Sequence, residues 1–452
     1  MASIQPTPTF VSSMPEGMTP FQIGIVALCV LIAGLDGFDV LVVAFTAPSI
    51  AADWSLNPAA VGSLLSAGLA GMGFGALLIA PLGDQLGRRP AVLLCLAILF
   101  LGMFVSSFAR SFTELALLRV FTGLGIGGVL ANINIVVAEY SSARRRDLCI
   151  ALMSVGYPIG ATIGGIASVY LIHHWGWRSV YLFGAVVALI LVPATLVQLP
   201  ESLDYLLAKR PNGALEKANR VRARLHLPPM TALPAAASPT EAQRRSGLLG
   251  ILRAPFLTAT LVTSLLYFFT MGTVYFLVSW TPKLLTQLGL SLSGGISGSV
   301  LMNISGTVGV ILYGIYATRF GVRRLATVFM LGLALMTLVF GVVPGQATML
   351  LATTLAVGFF LNASIAVLYM VVPAVFPAAV RATGTGFAMS MGRVGAVLGP
   401  FSAGLLMQLG FGRAVFCTAL ALPMLFAIAC LYRLRALDRP APALDRSRPR
   451  AA

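Results

Sequence analysis

Charge is what this sequence lacks. Only 10% of its 452 residues are Asp, Glu, Lys or Arg, against about a quarter in soluble globular domains. With 58% hydrophobic residues and a mean hydropathy of +0.92, this scarcity excludes a water-soluble chain and implies a polytopic membrane protein. Cysteine is sparse too. Cys29, Cys95, Cys149, Cys417 and Cys430 lie in or beside apolar runs without CxxC or metal-ligand spacing, so they read as packing residues. No nucleophile–base constellation, metal cluster or phosphate-cradling loop is present, so no catalytic residue, metal or cofactor is expected. Residues 1–20 contain no Lys or Arg and lead into a run too long for an h-region, so no cleavable signal is expected.

What is present is a series of twelve apolar runs, each long enough to cross a bilayer, which takes about 20 residues. They fall near 23–47, 59–81, 90–109, 113–137, 148–172, 179–199, 255–280, 296–316, 325–343, 347–371, 384–407 and 411–432. The expected organisation is an N-terminal tail (1–22), a six-helix bundle (23–199), a linker (200–253), a second six-helix bundle (254–432) and a C-terminal tail (433–452). The linker holds an amphipathic piece from Leu203 to Leu225 and a Pro/Ala-rich stretch near 228–239. With both termini on one side, 24 of the 30 Lys and Arg fall on that side, so the positive-inside rule makes it cytoplasmic. The net charge of +16 is then topology and lipid contact, not nucleic-acid binding.

Acids stand out against this background. Asp36 and Asp39 sit inside the first apolar run, where an ionised side chain costs about 2.5–3.5 kcal/mol on insertion scales. Their i,i+3 spacing puts them on one helix face, and Gly37 between them allows close helix approach. Two poorly solvated acids so close suit a proton carrier.

The two halves repeat at an offset of 235. Arg146 maps to Arg381, Gly160-Ala161 to Gly395-Ala396, Gly164 to Gly399, Arg178 to Arg413, Gly123 to Gly358 and Gly37 to Gly272. Parallel six-helix repeats are the pattern of the major facilitator architecture. At this offset Asp36, Asp39, Arg119 and Glu139 map to Met271, Val274, Thr354 and Ala374. Titratable groups thus stay in the first half. The second supplies Arg393 with polar residues such as Tyr275, Trp280, Asn303, Asn362 and Tyr369, a division that suits proton handling on one side and ligand capture on the other.

Two arginines lie within apolar runs. Arg119 opens Arg119-Val120-Phe121-Thr122-Gly123-Leu124-Gly125-Ile126-Gly127-Gly128 and needs an anionic partner, for which Asp36 and Asp39 are the candidates; a purely structural bridge is the alternative. The glycines there pack helices and follow no strand, so they are not a dinucleotide site. Arg393 replaces Pro158 of the fifth-helix stretch around Tyr157. It lies 12 residues beyond Arg381, about 18 Å along a helix, near midplane. A guanidinium there must face a cavity or an anion, which makes it the leading candidate for gripping a carboxylate.

After the second helix, Ala80-Pro81-Leu82-Gly83-Asp84-Gln85-Leu86-Gly87-Arg88-Arg89 resembles the major facilitator loop signature, with Ala80 and Gln85 departing from it. Its second-half counterpart, Gly314 to Arg324, has Thr318 in place of the Asp. The resemblance implies gating roles for Asp84, Arg88 and Arg89, with Glu139 as partner of Arg88. With Asp36-Gly37-Phe38-Asp39, Glu139-Tyr140 followed by Arg146, Trp175-Gly176-Trp177-Arg178, Leu199-Pro200-Glu201-Ser202 and Gly392-Arg393-Val394-Gly395, the chain resembles the aromatic acid:proton symporter family of the major facilitators over about residues 21–432.

That resemblance implies an all-α membrane protein with twelve transmembrane helices in two pseudo-symmetric six-helix bundles. It implies import of an aromatic carboxylate with protons through a bacterial cytoplasmic membrane. Asp36, Asp39 and Arg119 would handle the proton; Arg393, Tyr157, Tyr275, Trp280, Asn303, Asn362 and Tyr369 would line the substrate site. The expected partners are a small aromatic acid, protons and membrane lipids, and the chain is expected to be a monomer. The rivals are an exporter on the same fold and a membrane sensor that binds without flux.

Overall fold

In lipid every backbone polar group must be satisfied within its own segment, which leaves a chain this apolar little choice but helix. The structure, a computed structural model, describes residues 17–142, 144–233, 251–253, 256–376 and 380–434, with Asp147, Thr318 and Ala382 described by backbone alone. The first sixteen residues of the expected N-terminal tail, the far end of the Pro/Ala-rich linker stretch and the tail beyond 434 lie outside the described residues.

Among these residues the first half forms α1 (Pro20–Asp53), α2 (Pro58–Leu78), α3 (Leu82–Leu86), α4 (Arg88–Ser106), α5 (Phe112–Tyr140), α6 (Arg146–Trp175) and α7 (Arg178–Gln198). The linker carries α8 (Leu203–Lys209) and α9 (Ala214–Arg224). The second half forms α10 (Leu257–Gln287), α11 (Leu292–Phe320), α12 (Val322–Val342), α13 (Ala347–Val375), α14 (Arg381–Gln408) and α15 (Arg413–Arg433). Among the described residues, eleven helices are long and apolar enough to cross a membrane. The twelfth, α14, is 28 residues long, but its glycines and Arg393 make it less apolar. Several helices overrun the apolar runs because polar residues cap them. At the start of α1, Thr19 accepts from the Gln22 amide (3.3 Å) and Gln22 Oε1 accepts from the Thr19 amide (2.9 Å), a reciprocal box with Pro20 at the first turn.

The halves pack alike: α1 on α6 and α2 on α5 in the first, α10 on α14 and α11 on α13 in the second. They meet along α2–α14, α6–α11 and α1–α10. One face carries the linker. There Gln22 Nε2 donates to the Tyr140 carbonyl (2.8 Å), and the Tyr140 hydroxyl donates to the Glu201 carbonyl (2.7 Å). Toward the opposite face the seam is tight. Ser66 Oγ donates to the Val397 carbonyl at 2.8 Å, and a Cβ on Gly62 would sit 2.9 Å from the Pro400 carbonyl oxygen.

The structure corrects the register of the repeat. Pro48 and Pro282 kink α1 and α10; Asn57 and Ser291 cap α2 and α11; Gly87 and Gly321, both at positive φ, precede α4 and α12. Each pair is 234 apart, not 235. Gly123 packs on Gly68 and Gly358 on Met302, so the second half gains one residue between Gly321 and Gly358, after which 235 holds. Asp36 and Asp39 therefore correspond to Thr270 and Thr273 rather than Met271 and Val274, and Gly37 to Met271 rather than Gly272.

Candidate functional site

The two acids of α1 have different surroundings. Asp39, 4% exposed, accepts from Arg119 Nη1 at 2.9 Å. The other end of that guanidinium donates to Ser106 Oγ at 3.1 Å, and its carbon lies 4.9 Å from the Tyr181 ring centroid. So Arg119 is paired with Asp39, inside the first bundle and away from the seam. Asp36, 0% exposed, has no hydrogen-bond partner on either carboxylate oxygen. Arg393 of α14 is near enough to act on it electrostatically, as is Asp39 on its own helix, and Asp36 in turn acts on Tyr157 of α6, Tyr275 of α10 and Tyr369 of α13.

Arg393 is the hub of this group. It interacts electrostatically with Tyr157, Tyr267, Tyr275 and Tyr369 as well as Asp36, and its Nη1 is buried without a partner. Its Cβ lies 3.9 Å from where one on Gly73 of α2 would stand, so it sits where the bundles face each other. Tyr369 is 55% exposed although it interacts electrostatically with both Arg393 and Asp36, so the group borders accessible space, a chamber between the bundles. An acid and a guanidinium, both short of partners and ringed by phenols, can bind a carboxylate-bearing ring and exchange a proton.

Tyr267 is the member of this group that sequence reasoning missed. It is 2% exposed with an unpartnered hydroxyl and lies eight residues before Tyr275. That spacing keeps both on one face of α10 and was a usable signal. Trp280, Asn303 and Asn362 each have a backbone neighbour of their own. Trp280 is fully buried, its indole N–H donating to the Pro400 carbonyl at 3.0 Å, which ties α10 to α14. Asn303 donates to the Ser299 carbonyl one turn back (3.0 Å), and the Asn362 amide abuts Gly306 of α11.

The loop residues form a separate cluster on the linker face. Asp84 and Arg88 form an ion pair, and Arg88 Nη1 donates to Asn132 Oδ1 at 3.0 Å. Arg89 Nη2 donates to the Leu196 carbonyl at 2.6 Å. Glu139 lines a cavity of about 250 Å³ with Asp84, Arg88, Ser202 and Asp204; Arg88 acts on it electrostatically, while the hydrogen-bond partners of Arg88 are Asp84 and Asn132. The sequence reading also passed over Glu201. Its Oε1 accepts from the amides of Arg88 (2.7 Å), Arg89 (3.3 Å) and Ser202 (2.9 Å), closing the exposed amides at the start of α4. Burial pushes the Glu201 carboxyl above its usual range, although those amides and Arg89 pull it down. Burial raises Asp204 too, against Arg146 and Arg88.

Comparison with known proteins identifies the family and the fold. The family model of the Major Facilitator Superfamily matches residues 27–314 and 300–452. The chain is 34% identical over 426 residues to a gallate transporter of Pseudomonas putida, covering 94% of each. It is 32% identical over 427 residues to a 4-hydroxybenzoate transporter of Pseudomonas aeruginosa, covering 93% of this chain and 94% of that one. Among solved structures it resembles the xylose transporter of E. coli in an inward-open conformation, with a TM-score of 0.72 at 15% identity over 94% of this chain and 98% of that one. The chain belongs to the Major Facilitator Superfamily, in its aromatic acid transporter family, and is a membrane transporter rather than an enzyme.

Proposed function

We propose that this transporter imports a single-ring aromatic carboxylate together with a proton, by alternating access across a bacterial cytoplasmic membrane with the linker face and both termini inside. One observation carries the reading: Arg393, with a free Nη1, confronts an Asp36 that has no hydrogen-bond partner. Two anions compete for one guanidinium. Ionised Asp36 holds Arg393; once a proton neutralises Asp36, Arg393 is free for the carboxylate of the substrate. Proton and organic anion then enter together as a neutral load. The phenols of Tyr157, Tyr267, Tyr275 and Tyr369 give the ring its walls. Asp39 and Arg119 hold α1 to α5 as a fixed neutral pair, and the Asp84–Arg88 cluster braces the linker face of the first bundle. The printed substrates of the relatives, gallate and 4-hydroxybenzoate, support the substrate class.

The test is uptake into proteoliposomes of radiolabelled benzoate, 4-hydroxybenzoate and gallate, with and without an imposed pH gradient. Each pH unit supplies about 1.4 kcal/mol per proton, so wild-type protein is expected to accumulate at least one acid against its gradient. Asp36→Asn is expected to bind the acid and equilibrate it, with no accumulation. Normal pH-driven accumulation by that variant would overturn the coupling.

A further inference from the structure

The corrected repeat identifies a second place where an aromatic carboxylate fits, far from the chamber. In the first half, at the face opposite the linker, Arg178 opens α7 and its half-exposed guanidinium has partners within its own half. Its Nη2 donates to the Ala109 carbonyl at 3.1 Å, and its Nη1 pairs with Asp53 at 3.7 Å. An aromatic ring completes the arrangement. The Trp177 indole lies 4.2 Å from the Arg178 guanidinium carbon, donates to Asp53 Oδ2 at 2.8 Å and meets Trp54 edge-on at 5.3 Å. One carboxylate and one indole thus occupy the guanidinium, with a second indole behind them.

Arg413 is the counterpart of Arg178. It opens α15, donates from Nε to the Gly341 carbonyl at 3.0 Å and from Nη2 to the Val343 carbonyl at 2.5 Å, so the same loop anchor is kept. The rest is missing. At the offset of 234, Asp53 becomes Gln287 and Trp54 becomes Leu288; at 235, Trp177 becomes Gly412. Arg413 Nη1 is left buried with no partner, and no acid among the described residues forms an ion pair with Arg413. In place of the two indoles is a cavity of about 250 Å³ lined by Arg413, Gln287, Leu288, Phe411 and Phe416, together with Pro58 of α2. That is too small for a drug-sized molecule, whose pockets run from about 300 Å³ upward.

We propose that this cavity binds a single-ring aromatic carboxylate. The carboxylate takes the place that Asp53 has on Arg178, and the ring takes the space that Trp177 fills in the first half. Phe411 and Phe416 supply aromatic edges, and the buried Nη1 supplies a charge-assisted donor. The site is separate from the chamber at Arg393 and does not depend on the reading of that chamber.

The experiment is photolabelling of the full chain in lipid nanodiscs with 4-azidobenzoate, followed by peptide mapping. Label is expected on residues 407–416, displaced by benzoate but not by benzyl alcohol, which has the ring alone, or by acetate, which has the carboxylate alone. Gln287→Asp restores the acid that the first half already folds with, and is expected to cut this label at least about tenfold by occupying Arg413 while leaving the melting temperature no lower than wild type. Gly412→Trp, which refills the cavity, is expected to do the same. No label on 407–416, label displaced equally by benzyl alcohol or acetate, or label unchanged in a stably folded Gln287→Asp would each overturn the proposal. Label at Tyr275 or Tyr369 reports on the chamber separately, so failure at one site is distinguishable from failure at the other.

Discussion

The two halves share a backbone plan and differ in where they keep charge. In the first, guanidiniums are closed by acids of their own half: the buried Arg119 by Asp39 and the half-exposed Arg178 by Asp53. In the second, the counterparts of Asp39 and Arg119 are Thr273 and Thr354, which donate to the carbonyls of Leu420 (2.7 Å) and Leu350 (2.8 Å). Two apolar bundles of one shape can thus be closed either by an ion pair or by hydroxyls on backbone. The guanidiniums that remain in the second half, Arg393 and Arg413, each keep a buried Nη1 with no protein partner. Charge that is matched within a half holds that half together; charge left unmatched is where an anion from outside can bind.

The largest expected effect breaks that matching. Asp39→Ala strands the Arg119 guanidinium, 1% exposed, and removing one member of a buried pair costs about 3–5 kcal/mol. The double variant Asp39→Thr with Arg119→Thr copies the second half and is expected to recover most of that loss. Thermal unfolding of the three proteins in one detergent checks it. A double variant no more stable than Asp39→Ala would mean that the halves are not interchangeable here.

Arg393 comes next. Replacing it with Gln removes a charge-assisted pair and is expected to weaken binding of the transported acid at least about tenfold. Lys, which lacks the planar fork, is expected to restore little. Binding to purified protein measures both, and unchanged affinity would remove Arg393 from the site.

How much of this was legible in the sequence follows from what each residue depends on. Hydropathy exposed the helices, because spanning segments must be long and apolar. The cost of burying charge singled out Asp36, Asp39, Arg119 and Arg393. Which acid meets which guanidinium was not legible, since Asp36 and Asp39 share a face of α1 and only the helices opposite decide that Arg119 takes one and Arg393 confronts the other. The repeat register was off by one through α1 to α3 because six matches cannot locate a single added residue; caps and kinks could. Trp280, Asn303 and Asn362 carry polar atoms satisfied by nearby backbone or packed against it, and nothing in their spacing distinguishes that from facing a chamber.

Close packing gives a third, smaller contrast. Gly37 is so tight against α6 that a Cβ would overlap the Tyr157 carbonyl. In the second half the large and small residues trade places: Met271 stands for Gly37 and Gly392 for Tyr157. A Cβ on Gly392 would meet only side-chain atoms of Tyr267 and Met271, at 2.9 Å and 3.2 Å. Gly37→Ala is therefore expected to cost about 1–3 kcal/mol, and Gly392→Ala less, because side chains can turn where a helix backbone cannot. Equal losses in melting temperature would contradict the exchange.

The smallest effect concerns the linker, where the halves also differ. A Cβ on Gly87 would run into the Glu201 carboxylate, whereas Gly321 has open space around it; among the described residues only α4 has its first amides closed by a linker acid. All three amides use Glu201 Oε1, so the carbonyl of a Gln can replace it. Glu201→Gln gives up the attraction between a carboxylate and a helix start, about 0.3–1 kcal/mol, and with it the larger opposing cost of burying the charge, so its net effect on stability is expected to be small. Burial raises the carboxyl of Glu201 above its unfolded value, so ionisation opposes the folded state. Its stabilising contribution is complete below the unfolded pKa and declines as pH rises through the folded one. Asp204, also raised, adds the same sign, opposed by Arg88 and Arg146. Amide exchange at Arg88 and Arg89 is thus expected to gain protection as pH falls in wild type, after correction for the intrinsic rate, and to depend less on pH in Glu201→Gln. A variant that loses protection at every pH, as strongly as Glu201→Ala does, would show that the charge, not the acceptor oxygen, holds the linker to α4.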